Sequence, residues 1–284
     1  MTPNENSRIV NEIPVIEEHE AHITHEHTTD HSHHHIRQGK DSRLTTPLAI
    51  VIGSVIISLG LVGYGYTSSL SNGSTPTTNP LPKILKAVGV NKKDFESCVI
   101  SGKEASLVTA SLQDGITAGV QGTPTSFVIL KRDNILYTVA SVEGAQTEEY
   151  VRAAVEKALA LHADPKSSLK GLKTFQGKTI DDIDYVEGTD TGVFIVEYSD
   201  PECPFCVRFH PTIEKIRSEY AGRIAFIYRH FPLSIHPGAQ KESEMISCAG
   251  ALKGREAYYK YIDAMFDYKI KNNITTLPIP GQQQ

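Results

Sequence analysis

Cys203 and Cys206 stand two residues apart in the run DPECPFCVRF. A pair of thiols at that spacing can do two kinds of chemistry: it can close into a disulfide that exchanges with other thiols, or it can hold a zinc ion. Zinc needs two further ligands, and no second Cys-x-x-Cys supplies them, so exchange is the expected use. Pro204 suits the first turn of a helix and leaves Cys203 at its start, where unpaired backbone N–H groups and the helix dipole favour a thiolate. Cys203 is therefore the expected nucleophile. Cys206, one turn deeper, is the expected buried partner, which closes the disulfide or attacks a mixed disulfide. Disulfide exchange needs no third base, so His210, His230 and His236 read as packing or surface residues. Beyond the redox-active disulfide itself no cofactor is called for.

Several elements must position this pair. VFIVEYS, Val193 to Ser199, is a continuous apolar strand interrupted by Glu197, and it leads through DPE into the cysteines and a helix running toward Tyr220. IAFIYR, Ile224 to Arg229, is a second buried strand, so strand, helix and strand compose a right-handed parallel unit. Helices follow near Gly238 to Leu252 and Arg255 to Tyr268. Upstream, Ile84 to Gly89, Lys92 to Ile100 and Glu104 to Val120 read as helices, and Ser126 to Lys131 and Ile135 to Ser141 as strands joined at the polar KRDN turn. Thr147 caps a further helix, whose Val151, Val155 and Leu159 form one apolar stripe. Two strands in the front part cannot make a stable sheet alone. They need the two behind.

With 284 residues, 39% of them hydrophobic, the chain can bury a sizeable core. A net charge of -5 and the lack of any Lys/Arg cluster argue against nucleic acid or an anionic membrane surface as partner. Four cysteines are too few for a disulfide scaffold in a chain this long. Residues 1–46 carry eight histidines between His19 and His35 among Glu and Asp, without apolar periodicity, and are expected to be a disordered tail. His31, His33, His34 and His35 are its weak metal-ligand candidates: the tract could bind metal loosely, but it has no preformed geometry to select one. Residues 47–66, PLAIVIGSVIISLGLVGYGY, hold no charge over a length that spans a bilayer as a helix. Arg37, Lys40 and Arg43 lie just before them, and no Lys or Arg follows until Lys83. The expectation is a single-pass cell-membrane anchor with a cytoplasmic N-terminus and everything after Tyr66 outside the cytoplasm. A cleaved signal peptide is the rival reading. Residues 67–80 are a Ser/Thr/Pro spacer, and residues 81–284 form the globular part.

Within that part the resemblance to a known family is specific. VEYSDPECPFCVRFHPT, YRHFPLSIHPGA and SCAGALKGREAYYKYIDAMF resemble the first half of a DsbA-family thioredoxin-like domain, and DFESCVISGKEASL with ITAGVQGTPTSFVI resembles its second half. The halves come in reverse order. The fold this implies is α/β: a thioredoxin-like domain with an inserted helical subdomain, circularly permuted, alongside one transmembrane helix. Residues 81–162 would be the C-terminal half, 163–190 the joining segment and 191–284 the N-terminal half. The part of the joining segment around Leu172 to Ile183 is expected to supply the small first strand of such domains. Exchange of halves between two chains, giving a domain-swapped dimer instead of a monomer, is the alternative, as is a truncated, nonfunctional product.

The resemblance also implies roles. Pro124 would be cis and face the cysteines, leaving the backbone of Thr123 free to pair with an extended substrate; taken blindly, a trans turn is the commoner form of an X-Pro bond. Pro204 and Phe205 would be the dipeptide that tunes the dithiol. Glu197 would be the acid beneath the site that relays a proton for Cys206, its rival reading being a solvent-facing edge position. Cys98 and Cys248 would form a structural disulfide, or else remain two buried free thiols. The implied activity is that of a thiol:disulfide oxidoreductase oxidising the cysteines of exported proteins, with a quinone-linked membrane partner as electron acceptor. An isomerase or reductase of the same fold is the runner-up, and a metal-handling adaptor built on the His-rich tail comes from a different class.

Overall fold

The computed structural model describes residues 79–180 and 184–282, which lie in one compact unit, Ser71–Gln284. The expected tail, the membrane span and all but the last two residues of the spacer lie outside the described residues. Twelve elements follow in chain order among those described: α1 (Leu81–Val88), α2 (Lys92–Ser101), α3 (Ala105–Ala118), β1 (Thr125–Arg132), β2 (Ile135–Glu143), α4 (Glu148–Ala163), β3 (Lys173–Thr174), β4 (Val193–Ser199), α5 (Pro204–Glu219), β5 (Ala225–His230), α6 (Ala239–Lys253) and α7 (Arg255–Asn272).

The strands make one sheet in the order β3-β2-β1-β4-β5. β1 and β2 form a hairpin whose two-residue turn places Asp133 and Asn134 at φ 53° and 61°. Those are the residue types that tolerate the left-handed region a tight hairpin needs. The front and rear of the chain meet in the middle of the sheet: β1 runs antiparallel to β4, with Thr125 opposite Tyr198 and Leu130 opposite Val193. β4 runs parallel to β5, pairing Phe194 with Ala225 through Ser199 with His230. Every residue of β4 is buried, as a strand covered on both faces requires.

On one face Val128, Leu130, Val193 and Ile195 pack with Val151 and Val155 of α4 and with Phe209, Ile213 and Ile216 of α5. On the other, Phe127, Ile129, Phe194, Val196 and Tyr198 meet Leu112 and Ala118 of α3, and Phe175, Ile180 and Val186 from the segment between α4 and β4. α3 comes close to the sheet at Gly115, where an added Cβ would overlap Phe231 and sit 2.9 Å from Tyr198 Cδ1. The front and the rear of the described residues both contribute to the helical lobe, with α1 against α7 and α2 against α6. Cys98 of α2 and Cys248 of α6 are disulfide-bonded across it, their Cα atoms 6.0 Å apart and 150 positions apart in sequence.

The joining segment supplies a small strand in the range expected, Lys173–Thr174, and otherwise runs as irregular chain. Only Lys173–Thr174 pairs, and it does so with Tyr137 and Thr138 of β2, whereas the contact with β5 is a single bridge between Glu187 and Phe226. The segment thus crosses from one edge of the sheet to the other. Its apolar residues are isolated among polar ones and glycines, so they enter the core singly instead of forming a pleated face. Arg229, 4% exposed, fixes the crossing: its guanidinium donates to Asp114 of α3 at 2.8 Å, to Asp184 at 2.7 Å and to the Lys178 carbonyl at 3.2 Å.

Candidate functional site

The end of β4 delivers the chain into the turn Asp200-Pro201-Glu202, and three parts of the molecule hold that turn. The carboxylate of Asp200 is fully buried; it accepts from the N–H of Glu202 at 2.7 Å and of Leu233 at 2.8 Å, and lies 2.7 Å from His236 Nδ1. Glu202 accepts from the Gly238 N–H at 2.8 Å. From α7, the buried Lys269 donates to the Pro201 carbonyl at 2.7 Å and pairs with the buried Glu242 of α6. Glu242 in turn accepts from the Leu277 N–H at 2.6 Å. The turn before the cysteines is therefore fastened to α6, α7 and the segment after α7.

Cys203 is the N-cap of α5 with Pro204 at its first turn. Both Cys203 and Cys206 are free thiols, 3% and 1% exposed. The Cys203 thiol donates to the carbonyl oxygen of Thr123 at 3.4 Å, across 80 positions of sequence, and the Thr123–Pro124 peptide is cis. Front and rear of one chain thus meet at this point. Phe205 is 51% exposed beside the pair, with the Arg208 guanidinium 4.8 Å from its ring centre. A cleft of about 460 Å³ opens there, lined by Gln121, Thr123, Phe127, Ser141, Glu143 and Phe205.

The two thiols are electrostatically opposite. A hydrogen bond from Cys206 does most to lower the pKa of Cys203, to about 5; burial opposes it, and the Thr123 hydroxyl and the N–H groups of Cys206 and Phe205 assist. Burial pushes Cys206 well above an ordinary thiol, and a neighbouring Cys203 thiolate pushes it further. Its sulfur also accepts from the Asp200 N–H at 3.4 Å. One thiol is set to be a thiolate at neutral pH and the other to hold its proton.

Glu197 lies inside the sheet, opposite Ser126 of β1 and Tyr228 of β5 and 3% exposed. It is not at an edge. Burial raises its pKa, offset in part by the Ser199 hydroxyl, His210 and Arg217. Among the histidines, His210 stacks on Phe266 and approaches Asp263 at 3.3 Å. His230 is buried, its pKa lowered to about 3 by desolvation, and contacts Ser247 and Tyr258. His236 holds Asp200. Asp200, Ser199 and the Lys269–Glu242 pair went unread, although Lys269 follows Ile262 and Met265 along the apolar stripe of α7, a spacing that signals a buried charge. Among the described residues no group of three or more His, Cys, Asp or Glu could hold a metal ion; His31, His33, His34 and His35 lie outside them.

These features define a thioredoxin-like domain carrying a free Cys pair, a site of the kind that performs thiol–disulfide redox chemistry. Comparison with known families agrees at that level: the family described as Thioredoxin matches residues 187–279. Curated relatives include proteins named Na(+)/H(+) antiporter NhaA 1. That of Mycolicibacterium vanbaalenii is 36% identical over 90 residues, 31% of this chain and 14% of the relative. That of Mycolicibacterium gilvum is 40% identical over 74 residues, 25% and 12%, and that of Salinispora arenicola 37% identical over 71 residues, 24% and 11%. The chain thus spans about a seventh or less of these proteins. No solved structure matches it significantly. Among the described residues no helix is long and apolar enough to cross a membrane; residues 47–66 lie outside them.

Proposed function

We propose that this chain is a membrane-anchored thiol:disulfide oxidoreductase of DsbA type that oxidises the cysteines of exported proteins through Cys203 and Cys206. The observation that carries the reading is the pairing of a depressed Cys203 pKa with a raised Cys206 pKa directly against the Thr123–Pro124 loop. A stabilised Cys203 thiolate favours the reduced form of the pair, and a pair whose reduced form is favoured acts as an oxidant. The exposed Phe205 and the adjoining cleft suit an unfolded client chain. The Cys98–Cys248 bond is read as the structural disulfide of the helical lobe.

Circular permutation is part of the proposal. Its support is the position of the proline loop upstream of the cysteines in a single five-stranded sheet, together with a family match confined to the rear of the chain. The chain is read as a monomer or a domain-swapped dimer, which sedimentation distinguishes. The anchor at 47–66, the extracytoplasmic location and a quinone-linked membrane oxidase as electron acceptor complete the reading, with loose metal binding by the His-rich tail as a secondary property. Antiporter activity is not carried over from the relatives, because the shared stretch is a small fraction of each.

The test is a redox titration in glutathione buffers, coupled to an insulin disulfide-exchange assay. A potential above about −200 mV fits an oxidase, and one near −270 mV makes it a reductase instead. Dimerisation in sedimentation with an intermediate potential points to an isomerase. The Cys203→Ser variant must lose exchange; if a cellular phenotype survives that loss while metal binding persists, the adaptor reading replaces this one.

A further inference from the structure

Side chains alternate along a strand, so Glu197 and Ser199 of β4 point to the same face, the one that α5 covers. Ser199 lies opposite His230, and Glu197 lies opposite Tyr228. The N–H of Asp200, the residue after Ser199, reaches Cys206 Sγ at 3.4 Å, which places the Cys206 sulfur over the Ser199 end of this row. All of these groups have little access to solvent: Ser199 is 0% exposed, Cys206 1%, Glu197 3% and Tyr228 4%. Buried polar atoms almost always have partners. Here three neighbours, Ser199 Oγ, Glu197 Oε2 and Tyr228 Oη, have none. A hydroxyl both donates and accepts, and it rotates to suit either role.

We propose that the Ser199 hydroxyl relays a proton between the Cys206 thiol and the Glu197 carboxyl, with the Tyr228 hydroxyl closing the pocket behind them. The inference rests on the oxidoreductase reading above. In support, Ser199 opposes the burial-driven rise in the pKa of Cys206, of Glu197 and of Tyr228 alike. The step balances as follows. A client thiolate attacks Cys203 Sγ of the enzyme disulfide; the client–Cys203 S–S bond forms, the Cys203–Cys206 bond breaks, and its electron pair goes to Cys206. Ser199 gives its proton to the new Cys206 thiolate and takes one from Glu197, which is left as carboxylate and recovers its proton from solvent. A second client thiolate then displaces Cys203 as thiolate. The client dithiol is oxidised and the enzyme disulfide reduced. Besides Cys203 on α5, the charged or titratable groups facing this row are His210 and Arg217 of α5, Tyr228 and His230 of β5, and Tyr258 of α7.

The test uses the oxidised full chain and a small dithiol, following the rate of disulfide opening by stopped flow from pH 5 to 9, divided by the thiolate fraction of the dithiol. For the wild type the corrected rate is expected to fall as pH rises through the Glu197 ionisation. Ser199→Ala is expected to lower it about a hundredfold, the lower end for loss of a positioned proton donor, and to abolish that fall. Ser199→Thr, which keeps the hydroxyl, restores it to within about threefold. Ser199→Ala combined with Glu197→Gln is no slower than either alone. A Ser199→Ala rate and pH profile within about twofold of the wild type overturns the relay, as do additive effects in the double variant. Should Ser199→Ala not fold, the solvent isotope effect on the wild-type and Ser199→Thr rates is read instead, and a value of unity overturns the proposal. A wild type that exchanges no faster than Cys203→Ser sinks the oxidoreductase reading and the relay together; normal exchange with an indifferent Ser199 sinks the relay alone.

Discussion

Replacing Cys206 by Ala removes the group that contributes most to the acidity of Cys203. A hydrogen bond to a charged group is worth roughly 1.5–3 kcal/mol, and each pKa unit corresponds to about 1.4 kcal/mol. Loss of the Cys206 donor should therefore raise the Cys203 pKa from about 5 by roughly one to two units. The Thr123 hydroxyl and the backbone N–H groups of the first turn remain, so the value should stay below that of an ordinary thiol. The assay is thiolate absorbance near the ultraviolet thiolate band, with the rate of iodoacetamide alkylation as a second probe, in Cys206→Ala and in Cys206→Ser. The serine hydroxyl can still donate and should recover most of the shift. A midpoint unchanged in Cys206→Ala would mean that the helix terminus and the Thr123 loop alone set the acidity, and the account of the paired thiols would be wrong.

Other consequences follow from the same geometry. Because the folded pKa of Cys203 is depressed, its contribution to the reduced protein is complete above the unfolded value near 9 and is lost as pH falls through about 5. Part of it is present at pH 7, and urea unfolding of reduced against oxidised protein at pH 4.5 and 7 should show the reduced form gaining. Lys269→Met leaves the Glu242 carboxylate buried without its partner and the Pro201 carbonyl without its donor; it should cost about 3–5 kcal/mol, and Glu242→Gln in the same chain should recover part of that by urea midpoint. The Cys98→Ala/Cys248→Ala double variant opens a loop of 150 positions and should lose up to roughly 5 kcal/mol, with faster amide exchange in α1 and α2 and an unchanged Cys203 titration. Gly115→Ala forces a methyl against Phe231 and Tyr198 and should cost about 1–3 kcal/mol in thermal or urea unfolding.

Much of this architecture is legible in local sequence. The apolar runs at Val193 to Ser199 and Ile224 to Arg229, the KRDN turn and the Thr147 cap each specify their element through a short-range rule, and the strands and caps stand there to within a residue or two. CPFC is legible because thiol chemistry constrains its spacing, and the Thr-Pro dipeptide is legible only through the family resemblance. What is not legible depends on distant partners. Nothing near Asp200 tells that Leu233 and His236 will close around it, and Arg229 reads as the end of a strand until Asp114 and Asp184 arrive from either side. The joining segment has no periodicity to reveal that it crosses the sheet. Ser199 looks like a strand-ending serine; only the crowding of partnerless atoms around it marks the position.

The pairing of β1 with β4 also has a consequence for synthesis. When the Thr123–Pro124 loop and the hairpin after it have been made, the strand they need has not. Residues 125 to 130 wait for residues 193 to 198, and the helix bearing Cys98 waits longer still for the one bearing Cys248. The nascent front part is thus a hairpin and helices with one long apolar edge uncovered, a state prone to sticking. A chain built in this order closes late, from its rear forward, and for that interval it depends on whatever shields the edge of β1.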